Sequence, residues 1–262
     1  MIVDFHVHCF PDNVADKAIP VLAERAGIPA RLTGKLEDIK KSMERSKIDC
    51  SVVLSIATNP EQTEKINTWA SNVNGGGIVS FGSIHPDYKE WKYELRRISE
   101  LGLKGIKFHP DYQSFYVDED RMFCIYEYAL GLGLVLVFHA GIDIGLPLPC
   151  HCTPDRLLRV VDAFPEGKIV AAHMGGYSCW DDVERYLVGE NLYLDTSYSI
   201  GQTDDEQIKR IIRNHNQERI LFATDSPWCD QNEEIGKIKE LKLGEELENM
   251  ILGGNAKALL GI

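Results

Sequence analysis

Eight short apolar runs, each followed by a stretch of helical periodicity, constrain this chain more than any other feature. The runs fall at 2–8, 50–56, 77–85, 103–109, 134–139, 168–173, 192–196 and 219–225. Most are continuous in Val, Ile and Leu rather than alternating, as strands of a parallel sheet buried on both faces must be. Helical patterns occupy the intervals, near 13–26, 36–47, 88–101, 118–132 and 180–188. Asn59-Pro60 and Thr153-Pro154 read as helix starts, the proline sitting in the first turn where its missing N–H costs nothing. Leu157, Leu158, Val161 and Phe164 then share one helix face, and Thr203 with Glu206 reads as a capping box ahead of Ile208, Ile211 and Ile212. Eight strand–helix units are the tally of a (β/α)8 TIM barrel, an α/β fold, here expected as one domain over residues 1–262. The open doubly wound alternative carries a glycine-rich phosphate loop after its first strand, whereas here that strand ends in His6-Val7-His8.

Placement of the polar residues is the next constraint. Asp4, His6 and His8 close the first strand, Lys107 and His109 the fourth, His139 the fifth, His173 the sixth and Asp225 the eighth. Active sites of this architecture lie at that end of the barrel. Residues two apart on a strand share a face, so His6 and His8 can hold one ion together. A lone His-x-His is equally compatible with two buried, hydrogen-bonded imidazoles, His85 before Pro86 fits a structural role, and Asp225 alone could cap a loop. Together they are hard to read that way. Six of the eight histidines close a strand, and burying that many polar groups without a partner would cost several kcal/mol each, roughly. A metal ion supplies the partner, and imidazoles with a carboxylate suit zinc, manganese or iron.

Composition narrows the partners. The formal net charge is −12, from 28 Lys plus Arg against 40 Asp plus Glu, with no basic patch, which argues against nucleic acid. No apolar run reaches the length of a membrane span. The start of the chain lacks the pattern of a secretory signal, and seven scattered cysteines fit reduced thiols, so a cytoplasmic location is expected.

The ordered set Asp4-Phe5-His6-Val7-His8, Gly105-Ile106-Lys107-Phe108-His109-Pro110, Phe138-His139-Ala140-Gly141, Ala172-His173-Met174-Gly175-Gly176, Thr224-Asp225-Ser226-Pro227 and Gly254-Asn255-Ala256 resembles the amidohydrolase superfamily. More narrowly, it is similar to the amidohydrolase-related group that includes aminocarboxymuconate-semialdehyde decarboxylase-like proteins. That resemblance implies His6, His8, His139 and Asp225 as metal ligands. It implies His173 as a general base beside the metal or a ligand of a second ion. Lys107 could bridge two ions, bind a substrate carboxylate or be structural, and His109 could touch substrate. One divalent ion, zinc ahead of manganese or iron, is expected rather than two.

The leading expectation is metal-dependent hydrolysis of a small amide, ester or lactone. The cation would lower the pKa of water from about 15.7 toward about 7, Asp225 would take and return the proton, and His173 would steady the oxyanion. The alternative is a lyase: non-oxidative decarboxylation or hydration of a small carboxylic acid. A metal-dependent DNase and a non-catalytic barrel rank below both. Trp228 and Phe10 are expected as pocket walls, Trp228 against substrate, and Cys150-His151-Cys152 as loop residues near the mouth or a further metal site. The 9–49 excursion is open as a lid or a subunit contact, so a homo-oligomer is allowed.

Overall fold

The structure, a computed structural model, describes residues 1–262. Its strands are β1 (Val3–Val7), β2 (Cys50–Leu54), β3 (Ile78–Phe81), β4 (Gly105–Phe108), β5 (Val135–Phe138), β6 (Ile169–Ala171), β7 (Tyr193–Asp195) and β8 (Ile220–Leu221). All pairings are parallel and sequential, in two arcs, β1-β2-β3 and β4 through β8. Backbone hydrogen bonds cross both seams. Gly82 N–H donates to Gly105 O at 2.8 Å and Lys107 N–H to Gly82 O at 2.9 Å. At the other seam Phe5 N–H reaches Phe222 O at 2.8 Å and Asp225 N–H reaches His6 O at 2.9 Å. The strands are shorter than the apolar runs suggest because the backbone leaves ladder geometry where the site begins.

Each strand is followed by helix: α1 (Asp12–Ala26) and α2 (Leu36–Ser46) after β1, then α3 (Thr63–Val73), α4 (Trp91–Glu100), α5 (Asp120–Gly131), α6 (Pro154–Ala163), α7 (Trp180–Tyr186) and α8 (Asp205–Asn214). After β8 come α9 (Gln231–Glu240), α10 (Glu245–Asn249) and α11 (Asn255–Leu260). Two caps differ from expectation. Asp204, not Thr203, caps α8, its carboxylate accepting Glu206 N–H, while Thr203 turns to Gln207. Asn59 makes no side-chain cap, and Gln62 instead accepts the amide and hydroxyl of Thr58. On α6 it is Val160, rather than Leu158, that is fully buried beside Leu157 and Val161.

The barrel interior is a separate apolar cluster. Phe5, Val52, Phe81, Val137, Val170 and Leu221 fill it, and Leu259 and Leu260 of α11 pack against it. Gly105 is required by this packing: a Cβ there would lie 2.4 Å from the Phe81 ring and 2.4 Å from Val135 O. Phe81 thus occupies the space that a β4 side chain would take, and the next inward residue up the strand is Lys107.

One local irregularity positions the site. Val3 pairs with Cys50 and Asp4 with Ser51, but Val7 pairs with Val53, so β1 spends one extra residue between them. This β-bulge breaks the two-residue alternation. Phe5 points inward against Phe81, and beyond the bulge His6 also reaches the barrel interior, where Lys107 Nζ lies 3.3 Å from its Nε2. Asp4 therefore does not join the two histidines. It faces α9, accepting Gln231 Nε2 at 2.7 Å and Thr224 Oγ1 at 2.7 Å.

Gly105→Ala is expected to destabilise the fold by about 3 kcal/mol, since neither backbone nor aromatic ring can yield easily. Urea denaturation of the variant against the native protein measures it; an unchanged midpoint would show that Phe81 relaxes freely.

Candidate metal centre

Three side chains meet at the mouth of the barrel. His6 Nε2 and His8 Nε2 stand 3.1 Å apart, and Asp225 Oδ1 lies 3.4 Å from the first and 3.2 Å from the second. Their other atoms settle the protonation. His6 Nδ1 faces the buried carboxylate of Asp195 at 2.9 Å and must donate to it. His8 Nδ1 donates to Leu54 O at 2.9 Å. In the neutral rings both Nε2 atoms then carry lone pairs, pointed at each other and at a carboxylate oxygen, with the Lys107 ammonium 3.3 Å from that of His6. Burial holds His6 neutral, its pKa pushed down to about 3 with the Lys107 ammonium adding to the effect.

A second chain of imidazoles reaches the same mouth. His173 Nδ1 donates to Ser197 O at 3.0 Å, so its Nε2 accepts the Nδ1–H of His139, also at 3.0 Å. That leaves His139 Nε2 as a bare lone pair, and it is a buried atom with no hydrogen-bond partner. Burial, together with the neighbouring rings of His109 and His173, drives the pKa of His139 well below the usual histidine range.

The donor set fits a divalent cation. Ligands about 2.0–2.2 Å from one ion stand roughly 2.9–3.6 Å from each other, which matches the three spacings above. His109, His139 and Asp143 form a neighbouring group whose ligand atoms lie within 4.8 Å of one another. Its chemistry is different. His109 Nδ1 accepts Tyr112 N–H at 3.3 Å, and His109 Nε2 donates to Asp143 Oδ2 at 3.1 Å. Both nitrogens of that ring are engaged, so His109 has no lone pair to offer. The His109 and His139 rings stack at 4.0 Å because Lys107 pairs with Val137 one step below.

The five positions expected to converge are thus divided. His6, His8 and Asp225 form one knot, while His139 and His173 are hydrogen-bonded to each other beside it. His8, His109, His139, His173 and Asp225 all line one cavity of about 200 Å³. Trp228 and Phe10 are in its wall, as is α1 through Leu22 and Ala26, so part of the 9–49 excursion covers the site. Lys107 is buried beneath and does not line the cavity. Burial lowers its pKa to about 8 against the opposing pull of Asp195 and Asp225. Cys150, His151 and Cys152 stay outside the cavity wall, Cys150 Sγ and His151 Nδ1 resting on the carbonyls of Gly141 and Pro110.

Sequence reasoning overlooked Asp195, Ser197 and Asp143. Asp195 is the residue on which the arrangement turns, since Oδ2 accepts the His6 Nδ1–H and Oδ1 accepts the His173 backbone N–H at 3.0 Å and the Ser197 hydroxyl at 2.5 Å. Burial alone would raise its pKa, but the His6 contact outweighs this and keeps it a carboxylate, below the ordinary range. The available signal was its place at the end of the seventh strand.

The amidohydrolase profile matches residues 3–262. The chain belongs to the amidohydrolase family. This amidohydrolase has no sequence match among curated proteins. Among solved structures it resembles 5-carboxyvanillate decarboxylase from Sphingomonas paucimobilis, with 17% identity and a TM-score of 0.78 over 100% of this chain and 99% of that one. It also resembles 2,6-dihydroxybenzoate decarboxylase from Rhizobium (17% identity, TM-score 0.75, 99% and 98% covered). A dihydroxybenzoic acid decarboxylase from Polaromonas, with bound manganese and the inhibitor 2-nitroresorcinol, is similar at 16% identity and TM-score 0.74, with 99% and 96% covered. At these identities the likeness establishes that the amidohydrolase shares their barrel fold. No helix is long and apolar enough to cross a membrane.

Asp195→Asn is expected to weaken manganese binding about 10–100-fold, because the amide no longer compels His6 to keep its proton on Nδ1. Titration calorimetry measures it; an affinity equal to the native protein's would show that Asp195 does not orient the ligand.

Proposed function

We propose that this amidohydrolase is a metal-dependent decarboxylase of a small aromatic or unsaturated carboxylic acid. The reading is carried by end-to-end likeness to decarboxylases of 5-carboxyvanillate and dihydroxybenzoates. The cavity supports it, being walled by rings and aliphatic side chains, among them Phe10, Tyr177, Tyr198 and Trp228. Such walls suit a planar ring. The lyase alternative thereby moves ahead of the hydrolysis expected from sequence.

His6, His8, His139 and Asp225 would hold one divalent ion through the lone pairs described above. The donor set suits zinc, manganese and iron alike, and the manganese of the Polaromonas relative favours manganese over the zinc expected first. An ion held there would supply positive charge to orient the substrate's oxygens and to offset the negative charge that develops as carbon dioxide leaves. Asp225 moves the proton: its carboxylate takes one from the substrate's acidic group and returns it to the carbon that loses carbon dioxide. His173 acts through His139, accepting its Nδ1–H so that Nε2 stays available. Lys107 keeps a positive charge under the site, between Asp195 and Asp225, rather than touching substrate. His109 faces the substrate from the wall, and Trp228 closes one side.

Hydrolysis remains the second reading, because the family description is amidohydrolase and the same ligands can serve it. Manganese-loaded protein incubated with a panel of hydroxybenzoates, aminobenzoates, lactones and esters separates the two. Release of carbon dioxide from at least one aromatic acid is expected, with Asp225→Asn lowering kcat at least about a hundredfold. Turnover confined to lactones or esters would overturn the decarboxylase reading.

A further inference from the structure

Asp143 has no part in holding the ion as described, yet it is a carboxylate in the wall of an otherwise mainly apolar cavity. It lies four residues beyond His139, in the loop after β5. Both of its oxygens are anchored. Oδ1 accepts Gly145 N–H at 2.8 Å and Oδ2 accepts His109 Nε2–H at 3.1 Å. Because Tyr112 N–H fixes the His109 tautomer, that donor is constant and the carboxylate cannot swing away. An ionised carboxylate has about four lone-pair sites, and these two bonds use two of them. The side chain remains 14% exposed. No Lys or Arg lines the cavity; Arg25, exposed on α1, packs against Gly145 and hydrogen-bonds the Tyr112 hydroxyl from outside the wall.

An anionic acceptor held rigidly in an apolar cavity discriminates by what it cannot satisfy alone. A ligand hydroxyl or amino group reaching it gains a charge-assisted hydrogen bond in a site of low dielectric. A second carboxylate placed there meets the like charge of Asp143, with no Lys or Arg in the wall to offset it and the proposed ion already engaged by the first carboxylate. A ligand with only C–H at that edge leaves the acceptor desolvated and unpaired.

We propose that Asp143 is a specificity-determining residue that selects substrates bearing a hydroxyl or amino donor and rejects a second carboxylate at that edge. The inference rests on the small aromatic acid reading and narrows it to hydroxy- or amino-substituted monocarboxylic acids. It separates this chain from a diacid substrate such as the name 5-carboxyvanillate implies for one of its structural relatives. His109 serves here as the positioning residue that aims the carboxylate.

The test reads binding rather than turnover. Affinities of manganese-loaded native protein and Asp143→Asn are measured by titration calorimetry for 3-hydroxybenzoate, 3-aminobenzoate, benzoate and isophthalate. Their substituents are too far from the carboxylate to chelate the same ion. Manganese content is checked by elemental analysis, so that a variant that fails to fold is recognised, in which case Asp143→Ser replaces it. The native protein is expected to prefer the hydroxy or amino acid over benzoate by about tenfold or more, and to bind isophthalate more weakly than benzoate. The variant is expected to lose most of that preference and to bind isophthalate more tightly than the native protein does. Equal preference in native and variant proteins would overturn the role of Asp143. Bound acids that never release carbon dioxide would instead count against decarboxylation, leaving the selectivity intact.

Discussion

The arrangement depends on lone pairs facing one another with no proton between them. His6 Nε2, His8 Nε2 and Asp225 Oδ1 are held within 3.4 Å of each other. With both rings neutral, the partners at the far side of each leave no ring hydrogen to share among them, the Lys107 ammonium 3.3 Å from His6 Nε2 being the one donor there. His139 Nε2 is buried and unpaired in the same cavity. A protein interior tolerates such a cluster only if a positive charge completes it. Lys107 supplies part of that charge from below, and the divalent ion proposed for this site would supply the rest.

The scaffold keeps those lone pairs in place at a cost borne by the backbone. Asp225 and His173 both adopt left-handed conformations, at φ of 62° and 59°, which non-glycine residues rarely occupy. Strain of this kind persists only where surrounding contacts over-determine it. Here Asp225 N–H is tied to His6 O and His173 N–H to Asp195. Beneath, the Phe5–Phe81 contact, with Gly105 making room for it, fills the barrel, so the candidate ligands stand on a packed apolar layer.

Much of this was legible in the chain. Continuous apolar strands with polar residues at their ends give the barrel and the side of it that carries chemistry, and narrowing those residues to His6, His8, His139 and Asp225 took the resemblance to the amidohydrolases as well. What was hidden depends on geometry that periodicity does not encode. The two-residue alternation places Asp4 with His6, but one extra residue in β1 sends Asp4 outward to Gln231. Asp195 ends a strand of only three residues and belongs to no motif, so its hold on His6 emerges only when β7 and β1 are brought together across the barrel. Tautomers are equally invisible: His109 and His139 stand side by side at strand ends, yet only the partners of each ring show that one has a lone pair free.

A crystal of the protein grown with manganese, with data collected to record anomalous scattering from that metal, tests the central claim most directly. The account predicts one strong peak within coordination distance of His6 Nε2, His8 Nε2, His139 Nε2 and the Asp225 carboxylate. A peak seated instead between His109 and Asp143, or no ordered metal with His6 and His8 bonded to each other, would contradict it.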